Sequence, residues 1–493
     1  MTNENKGECV FIPLCERSVS VEISNDFTLP DYQQEIRRVL CVEAEPQPPS
    51  SYAGDSSAEF NGAVDIRLTY ISADGALCTA PLTADYSFSV PYESDAEGGD
   101  VTALCSVYVD SATARVSAPR RLNMRLRLRP AVRVYSAVPL IMDIDGGEDG
   151  EGIFKKRESC QIAECHSGTS DIIDVTYICP SINEDQRVVS ANTEVGIDSW
   201  EHRDGAICCR GSVKITLLCA SDNSGEMTSV SGDATFEGEI EAECMNDEQL
   251  CRVWGTAAHS TVNVTESGVE CNVGVLLSAR WMCRNETEYV SDAYSTERDS
   301  RCEIRSYVTR APLVCRNINF TVNEQLPLES LGIPDSARAV SCHGSARMDR
   351  CAVNGSRPVL SGDMSLTVIY AHNGELSVAE TVIPVKYQCD TPISDSPAVF
   401  DAFARASDLK AKITDGALHI SAEMMGYVEC MSEVTVSAVE SVSLGDTLPR
   451  RSGELIVCYL SADDTPWSLS KRYRISPEEI LGDTEKDAFV IIG

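Results

Sequence analysis

The sequence predicts a mainly β protein of three tandem antiparallel β-sandwich-like domains, followed by a small α+β C-terminal module. Three observations predict it. Apolar and polar residues alternate in run after run, the runs recur at a near-constant offset, and sustained helical periodicity is rare. In Val64-Asp65-Ile66-Arg67-Leu68-Thr69-Tyr70 every second side chain is apolar, as in Ser212–Leu217 and Met364–Tyr370. A period of two buries one face of a strand. Asp74-Gly75, Asn223-Ser224-Gly225 and Asn373-Gly374 supply turns between strands.

The offset gives the domain count. Gly62, Gly211 and Gly362 open the three runs, 149 and 151 residues apart. Arg38, Arg187 and Arg338 each stand 24 residues earlier, and Val116, Val264 and Ile413 follow at spacings of 148 and 149. Landmarks held in one register predict three copies of a single β domain, at 1–142, 153–308 and 309–448, with a separate module at 453–493. Pro46–Ser51 is expected to be a loop within the first copy. Asp143–Gly152 is acidic and glycine-rich but lacks the full ligand pattern and closing glutamate of a calcium loop, so a solvated linker is expected.

Composition excludes some functions. At 43% hydrophobic and 24% charged, the chain is ordinary for a globular protein. Its 76 acidic and 41 basic residues give a net charge of −35, which repels phosphate backbones and anionic lipid, so no nucleic-acid partner is expected. No apolar run is long enough to cross a bilayer, so no membrane insertion is expected, and the opening MTNENKGECVFIPLC does not predict a signal peptide. The 22 cysteines include no CxxC, and several stand alone in strand-like runs, such as Cys219 and Cys458. They read as small buried hydrophobes in a reducing compartment, with disulfides or later oxidative cross-links as the alternative. His166, His202, His259, His343, His372 and His419 are scattered without paired ligand spacing, so neither zinc nor another cofactor is predicted.

No phosphate-cradling glycine loop, GxSxG elbow or HExxH occurs, and no carboxylate pair stands out in so acidic a chain. Cys165-His166 and Cys342-His343 are neighbours on strands and point to opposite faces, which argues against nucleophile–base pairs. The chain therefore reads as a non-enzyme.

One basic segment breaks the acidic trend. In Arg120–Arg129, Arg121, Arg125, Arg127 and Arg129 share one strand face and Leu122, Met124, Leu126 and Leu128 the other. This is either a half-buried strand whose arginines pair with neighbouring carboxylates or a docking stripe for an acidic partner, with Arg125, Arg127 and Arg129 as candidate docking residues.

In the C-terminal module, Glu454–Leu460 is a plausible opening strand. Thr465 and Pro466 are suited to the N-cap and first position of a helix on which Leu469 and Tyr473 share a face. Trp467 lies off that face, is placed to cover the helix start, and is a candidate anchor of the module's small core. Ser476-Pro477-Glu478-Glu479 reads as a capping box for a second helix, and Phe489–Ile492 as the closing strand.

Two stretches resemble known families. Leu29-Pro30-Asp31-Tyr32-Gln33-Gln34-Glu35-Ile36-Arg37-Arg38-Val39-Leu40-Cys41-Val42 resembles the opening of SPOCS domains of sporulation and spore-coat proteins, and Ser117–Arg125 resembles that family's SPRK-N-R segment. Asn183–Val188 and Ile333–Arg338 keep fragments of the opening motif. Ala462–Leu481 resembles a LysM module, whose pattern runs GDTLW-IA-RY-VS-EEI, with Asp463 in place of the usual glycine and Pro466 in place of leucine.

The SPOCS resemblance implies a non-enzymatic adaptor in endospore coat assembly, at the forespore surface in the mother-cell cytoplasm. The implied partner is a coat scaffold ATPase or another coat protein. The LysM resemblance implies an alternative, a cell-wall protein binding N-acetylglucosamine polymer. It points to Asp464, Thr465, Trp467 and Ile475 as candidate glycan-binding or docking residues, although the departures fall in the glycan-contacting region.

Overall fold

The alternating runs are strands. The computed structural model describes residues 9–93, 100–140, 143–144, 152–179, 186–221, 227–265, 268–449, 455–461, 463–481 and 489–492. It is mainly β, with several antiparallel sheets.

The N-terminal third contains β1 (Cys9–Ser18), β2 (Val21–Thr28), β3 (Ile36–Pro46), β4 (Ser50–Ala53), β5 (Ser57–Ser72), β6 (Leu77–Pro91), β7 (Val101–Ala118) and β8 (Arg121–Pro139). One sheet runs β1-β8-β2 with β7 also on β8, and the other runs β3-β5-β4 with β6 also on β5. A two-residue strand β9 (Asp143–Ile144) follows. The rest of the acidic glycine-rich segment, 145–151, lies outside the described residues, as do the Asn223-Ser224-Gly225 turn and Asn183–Asp185.

The middle third contains β10 (Ile153–Thr169), β11 (Ile173–Cys179), β12 (Gln186–Arg203), β13 (Ala206–Ser221), β14 (Met227–Glu241), β15 (Cys251–Thr265) and β16 (Gly268–Ser295). Its sheets run β10-β16-β11, with β15 also on β16, and β12-β13-β14. The C-terminal third contains β17 (Arg298–Pro327), the short helix α1 (Leu328–Leu331), β18 (Arg338–Asn354), β19 (Arg357–His372), β20 (Glu375–Gln388), β21 (Val399–Ala406), β22 (Lys410–Thr414) and β23 (Ala417–Thr447). Here β18 pairs with β21 through Ser345–Arg347, which joins the strands into a single sheet, β17-β23-β21-β18-β19-β20, with β22 and β9 also on β23.

The predicted apolar faces form the cores. Val64, Ile66, Leu68 and Tyr70 on β5 cluster with Leu122, Met124, Leu126 and Leu128 on β8, all at most 3% exposed. Val213, Ile215 and Leu217 cluster with Val273, Val275 and Leu277 in the middle third. Met364, Leu366 and Val368 cluster with Leu418, Ile420 and Ala422 in the last. Burying such side chains removes apolar surface from water, and truncating one to alanine typically costs about 2–5 kcal/mol.

The recurring glycine has a steric reason. Gly62 pairs with Tyr86 across the sheet, and a Cβ on it would lie 2.5 Å from the Tyr86 hydroxyl oxygen. Gly211 pairs with Phe236, and its Cβ would lie 2.5 Å from that ring and 2.3 Å from the Gly196 carbonyl oxygen. An aromatic side chain thus lies over each glycine. At Gly362 it is backbone that closes in, with the Arg347 carbonyl oxygen 1.7 Å from where a Cβ would stand, beside a bulge in β18. The last landmark is less uniform. Val116 and Ile413 pack against their cores, whereas Val264 is 79% exposed. Asn373-Gly374 forms a two-residue turn with both φ angles positive, the twist that a tight hairpin needs, and Asp204-Gly205 and Asp415-Gly416 do the same.

The C-terminal segment contains β24 (Ile456–Tyr459), α2 (Pro466–Tyr473), a single 3₁₀ turn at Pro477–Glu479, β25 (Ile480–Leu481) and β26 (Phe489–Ile492), with the strands in the order β24-β26-β25. Thr465 caps α2 through the Ser468 backbone N–H, and Ser476 caps the 3₁₀ turn that stands where a second helix was expected. Leu469, Ile475, Val490 and Ile492 form its core with Cys458. No helix among the described residues is long and apolar enough to cross a membrane.

Candidate functional site

The strongest concentration of chemistry lies at the junction of the three thirds. The β7, β15 and β21 strands bring Ser106, Arg252 and Asp401 there, 146 and 149 residues apart, and β8, β16 and β23 bring Arg133, Arg280 and Glu429, 147 and 149 apart. All six are buried. Glu429 is at the centre: Oε2 accepts from Arg133 Nη1 at 3.1 Å and Arg280 Nη1 at 3.2 Å, and Oε1 accepts from Arg252 Nε at 3.0 Å. Arg280 also donates to the Cys105 carbonyl at 3.1 Å and stands 4.0 Å from Asp401 Oδ2. Tyr108 donates its hydroxyl proton to Asp401 Oδ1, and its oxygen lies 3.0 Å from that of Tyr427.

The pairing within each sheet explains why the cluster needs all three thirds. Arg252 and Arg280 are directly opposite one another on β15 and β16, and Asp401 and Glu429 are directly opposite on β21 and β23. Like charges facing across a ladder repel. Packing the basic pair against the acidic pair turns two repulsions into attraction, and Arg133 adds a third cation from the N-terminal third. Aromatic rings line the cluster. The Arg252 guanidinium sits 3.5 Å from the Tyr427 ring centroid, and Trp254 meets Phe403 and Tyr427 edge-on. Arg405 stacks on Trp254 and extends the contact, pairing with Glu45 at 2.6 Å and donating to the Val195 carbonyl at 2.7 Å.

The electrostatics favour fixed charge over proton transfer. Burial alone would raise the Glu429 carboxyl, but the Arg252, Arg280 and Arg133 guanidiniums outweigh it and hold the group well below the usual carboxylate range. Burial pushes the neighbouring Cys315 thiol up. A carboxylate clamped by three guanidiniums is a poor general base. The group fixes geometry. A second polar contact at the junction joins Glu43 to His343 Nδ1 at 2.9 Å and to Arg67 at 3.6 Å. Burial raises the Glu43 carboxyl, and its contacts with His343 and Arg67 more than reverse this, to about 2.

The arginine stripe lies mostly outside this cluster. Leu122, Met124, Leu126 and Leu128 are buried and the arginines face outward, as their alternation requires. Arg127 pairs with Glu22 at 2.6 Å, and Arg129 pairs with Asp110 at 3.1 Å and lies 5.3 Å from the Tyr108 ring centroid. Arg121 and Arg125 are exposed. The same alternation continues to Arg133, so the stripe runs from solvent into the junction.

The C-terminal candidates form a docking contact with the body of the chain. Trp467, expected to anchor the module's own core, is only half-buried. It donates Nε1–H to Asp292 Oδ2 at 2.9 Å and meets Tyr294 edge-on at 5.0 Å. Lys471 also pairs with Asp292, and Arg474 reaches Ser300 at 2.7 Å and Asp299 at 3.2 Å. The Ile475 side chain is buried and its carbonyl accepts from the Tyr294 hydroxyl at 2.7 Å. Asp464 accepts from the Ser461 N–H at 2.9 Å and pairs with Arg472 at 2.6 Å, and Thr465 is the cap of α2. Trp467 is off the Leu469–Tyr473 face because that face fills the module's core, and this leaves the indole for the contact with the middle third.

None of the 22 cysteines is joined in a disulfide, and most are buried in strands. His166, Cys244 and Cys283 converge closely enough to share a metal ion. Compared with protein-family models, with curated proteins and with solved structures, the chain matches none of them.

Proposed function

We propose that the chain is a non-enzymatic structural adaptor in endospore coat assembly. In this reading it is three SPOCS-like β-sandwich domains in tandem with a degenerate LysM-like module, and it docks on a coat scaffold ATPase or other coat proteins at the forespore surface, in the mother-cell cytoplasm. The SPOCS-like and LysM-like segments supply the identity. The observation that supports an adaptor is the buried charge cluster, which spends its ionisable groups on tying the three thirds together. A body fixed in this way presents several surfaces at constant relative positions, as a bridge between partners must. The exposed end of the arginine stripe, Arg121 and Arg125, is the part of that surface best suited to an acidic partner.

A tagged copy imaged in sporulating cells tests this. A ring around the forespore is expected, and diffuse or cell-wall signal rejects it. A pull-down on peptidoglycan or chitin tests the glycan-binding alternative. Retention that vanishes when residues 453–493 are deleted would favour that alternative. The pairing of Asp464 with Arg472 and the docking of Trp467 weigh against it.

A further inference from the structure

We propose that His166, Cys244, Cys283 and Glu164 form a tetrahedral binding site for a zinc ion, which staples the loop after β14 to the β10–β16 pair. Glu164 and His166 are two residues apart on β10 and so share a face, and Glu164 is directly opposite Cys283 on β16. The loop between β14 and β15 lays Cys244 over this face. Its path is fixed at Asn246, whose side chain accepts from the Arg284 N–H at 3.0 Å and donates to the Arg284 carbonyl at 3.1 Å.

The donor atoms of His166, Cys244 and Cys283 all lie within 4.8 Å of one another. Two sulfurs on a tetrahedral zinc ion stand about 3.8 Å apart, given Zn–S bonds near 2.3 Å, so small side-chain rotations complete the geometry. Glu164 lies outside that three-residue group, but its Oε1 is 3.3 Å from His166 Nε2, so a side-chain rotation toward the two sulfurs would make it the fourth ligand. That nitrogen is buried and has no hydrogen-bond partner. The surroundings hold two of the ligands in place, while the Cys283 thiol donates to the Cys244 carbonyl at 2.7 Å, a bond that metal binding would replace. His166 stacks on Trp281 at 5.6 Å, and Asn285 Nδ2 donates to Glu164 Oε2 at 2.9 Å, which leaves Oε1 facing the cluster.

Thiolate and imidazole donors with one carboxylate select zinc over the hard cations calcium and magnesium. On binding, each thiol releases its proton to solvent as its sulfur bonds the metal, and no group changes oxidation state. The His166 and Glu164 side chains are 22% and 13% exposed, which gives the ion a way in.

Cobalt(II) titration of the reduced, metal-stripped full chain tests the site. One equivalent should give thiolate-to-cobalt charge-transfer absorption and tetrahedral d–d bands, and one equivalent of zinc should bleach both. Cys244→Ser and Cys283→Ser should abolish the charge-transfer band, and Cys208→Ser, on β13, should keep it. Glu164→Gln leaves both thiols in place and should weaken cobalt affinity about tenfold or more. No charge-transfer band in the parent chain would overturn the proposal. So would a band that survives Cys244→Ser, or a Cys244–Cys283 disulfide in protein purified under reducing conditions.

Discussion

Replacing Glu429 with glutamine removes the formal charge that, among the described residues, all three buried arginines of the junction contact. Among the described residues, the cluster carries Arg133, Arg252 and Arg280 against Asp401 and Glu429, so the substitution takes its net charge from +1 to +2 without changing side-chain size much. A charge pair about 4 Å apart is worth about 4 kcal/mol at an effective dielectric near 20. Three such contacts exceed the several kcal/mol that desolvating one carboxylate costs. Leaving buried charge without its partner typically costs about 3–5 kcal/mol.

Urea unfolding followed through tryptophan fluorescence reads the effect, because Trp254 packs on Tyr427 beside the cluster. The first midpoint should fall by about 1 M or more near neutral pH. Glu433→Gln is the control. Glu433 pairs with Arg310 while 56% exposed, so the change should stay within about 0.5 kcal/mol. The pH dependence has a definite sign. The Glu429 carboxyl is depressed in the folded chain, so its contribution is present above its unfolded value of about 4.3 and is lost as pH falls through the lower folded value. The gap between parent and variant should therefore narrow below about pH 4. A Glu429→Gln midpoint equal to the parent's near neutral pH would refute the view that this carboxylate holds the thirds together.

Trp467→Ala should remove about 2–4 kcal/mol of docking energy, from the bond to Asp292 and the ring contact with Tyr294, and leave the module's core intact. Hydrogen exchange should rise around residues 292–294 and stay unchanged in β23, and unchanged exchange at 292–294 would contradict the docking role. Glu43→Gln should destabilise the chain near neutral pH and progressively less on acidification, because a carboxyl depressed to about 2 contributes above its unfolded value and loses that contribution as pH falls through 2. An equal penalty at about pH 3 and near neutrality would disprove it. Gly211→Ala should cost about 1–3 kcal/mol in thermal unfolding, since its Cβ would press on the Gly196 carbonyl and the Phe236 ring. A neutral result would mean that the pairing there is loose.

Much of the β architecture was legible because it depends on local rules. The alternation from Val64 to Tyr70 needs only the pleat to decide which side chains are buried, and Thr465-Pro466 needs only the geometry of a helix start. Gly62 and Gly211 were found as a recurrence, but what lies over each became clear only with Tyr86 and Phe236 in place. The charge cluster is not legible in the sequence, for a specific reason. A repeat is visible through sameness, whereas Ser106, Arg252 and Asp401 occupy one register and differ in type. Arg133 was missed although it continues the arginine stripe, because strand periodicity gives the face of a residue but not what packs against that face. His166, Cys244 and Cys283 have no motif spacing. They meet through the β10–β16 register and the turn after β14, which no local pattern encodes.

The like-signed pairs at the junction also make the thirds non-interchangeable. A chain with two copies of the middle third would set four arginines against one another, and one with two copies of the C-terminal third would crowd four carboxylates together. The identity of the middle and C-terminal thirds is thereby written into the polarity of their contact surfaces. Replacing one of these thirds by the other is penalised at the junction, even where every hydrophobic core survives.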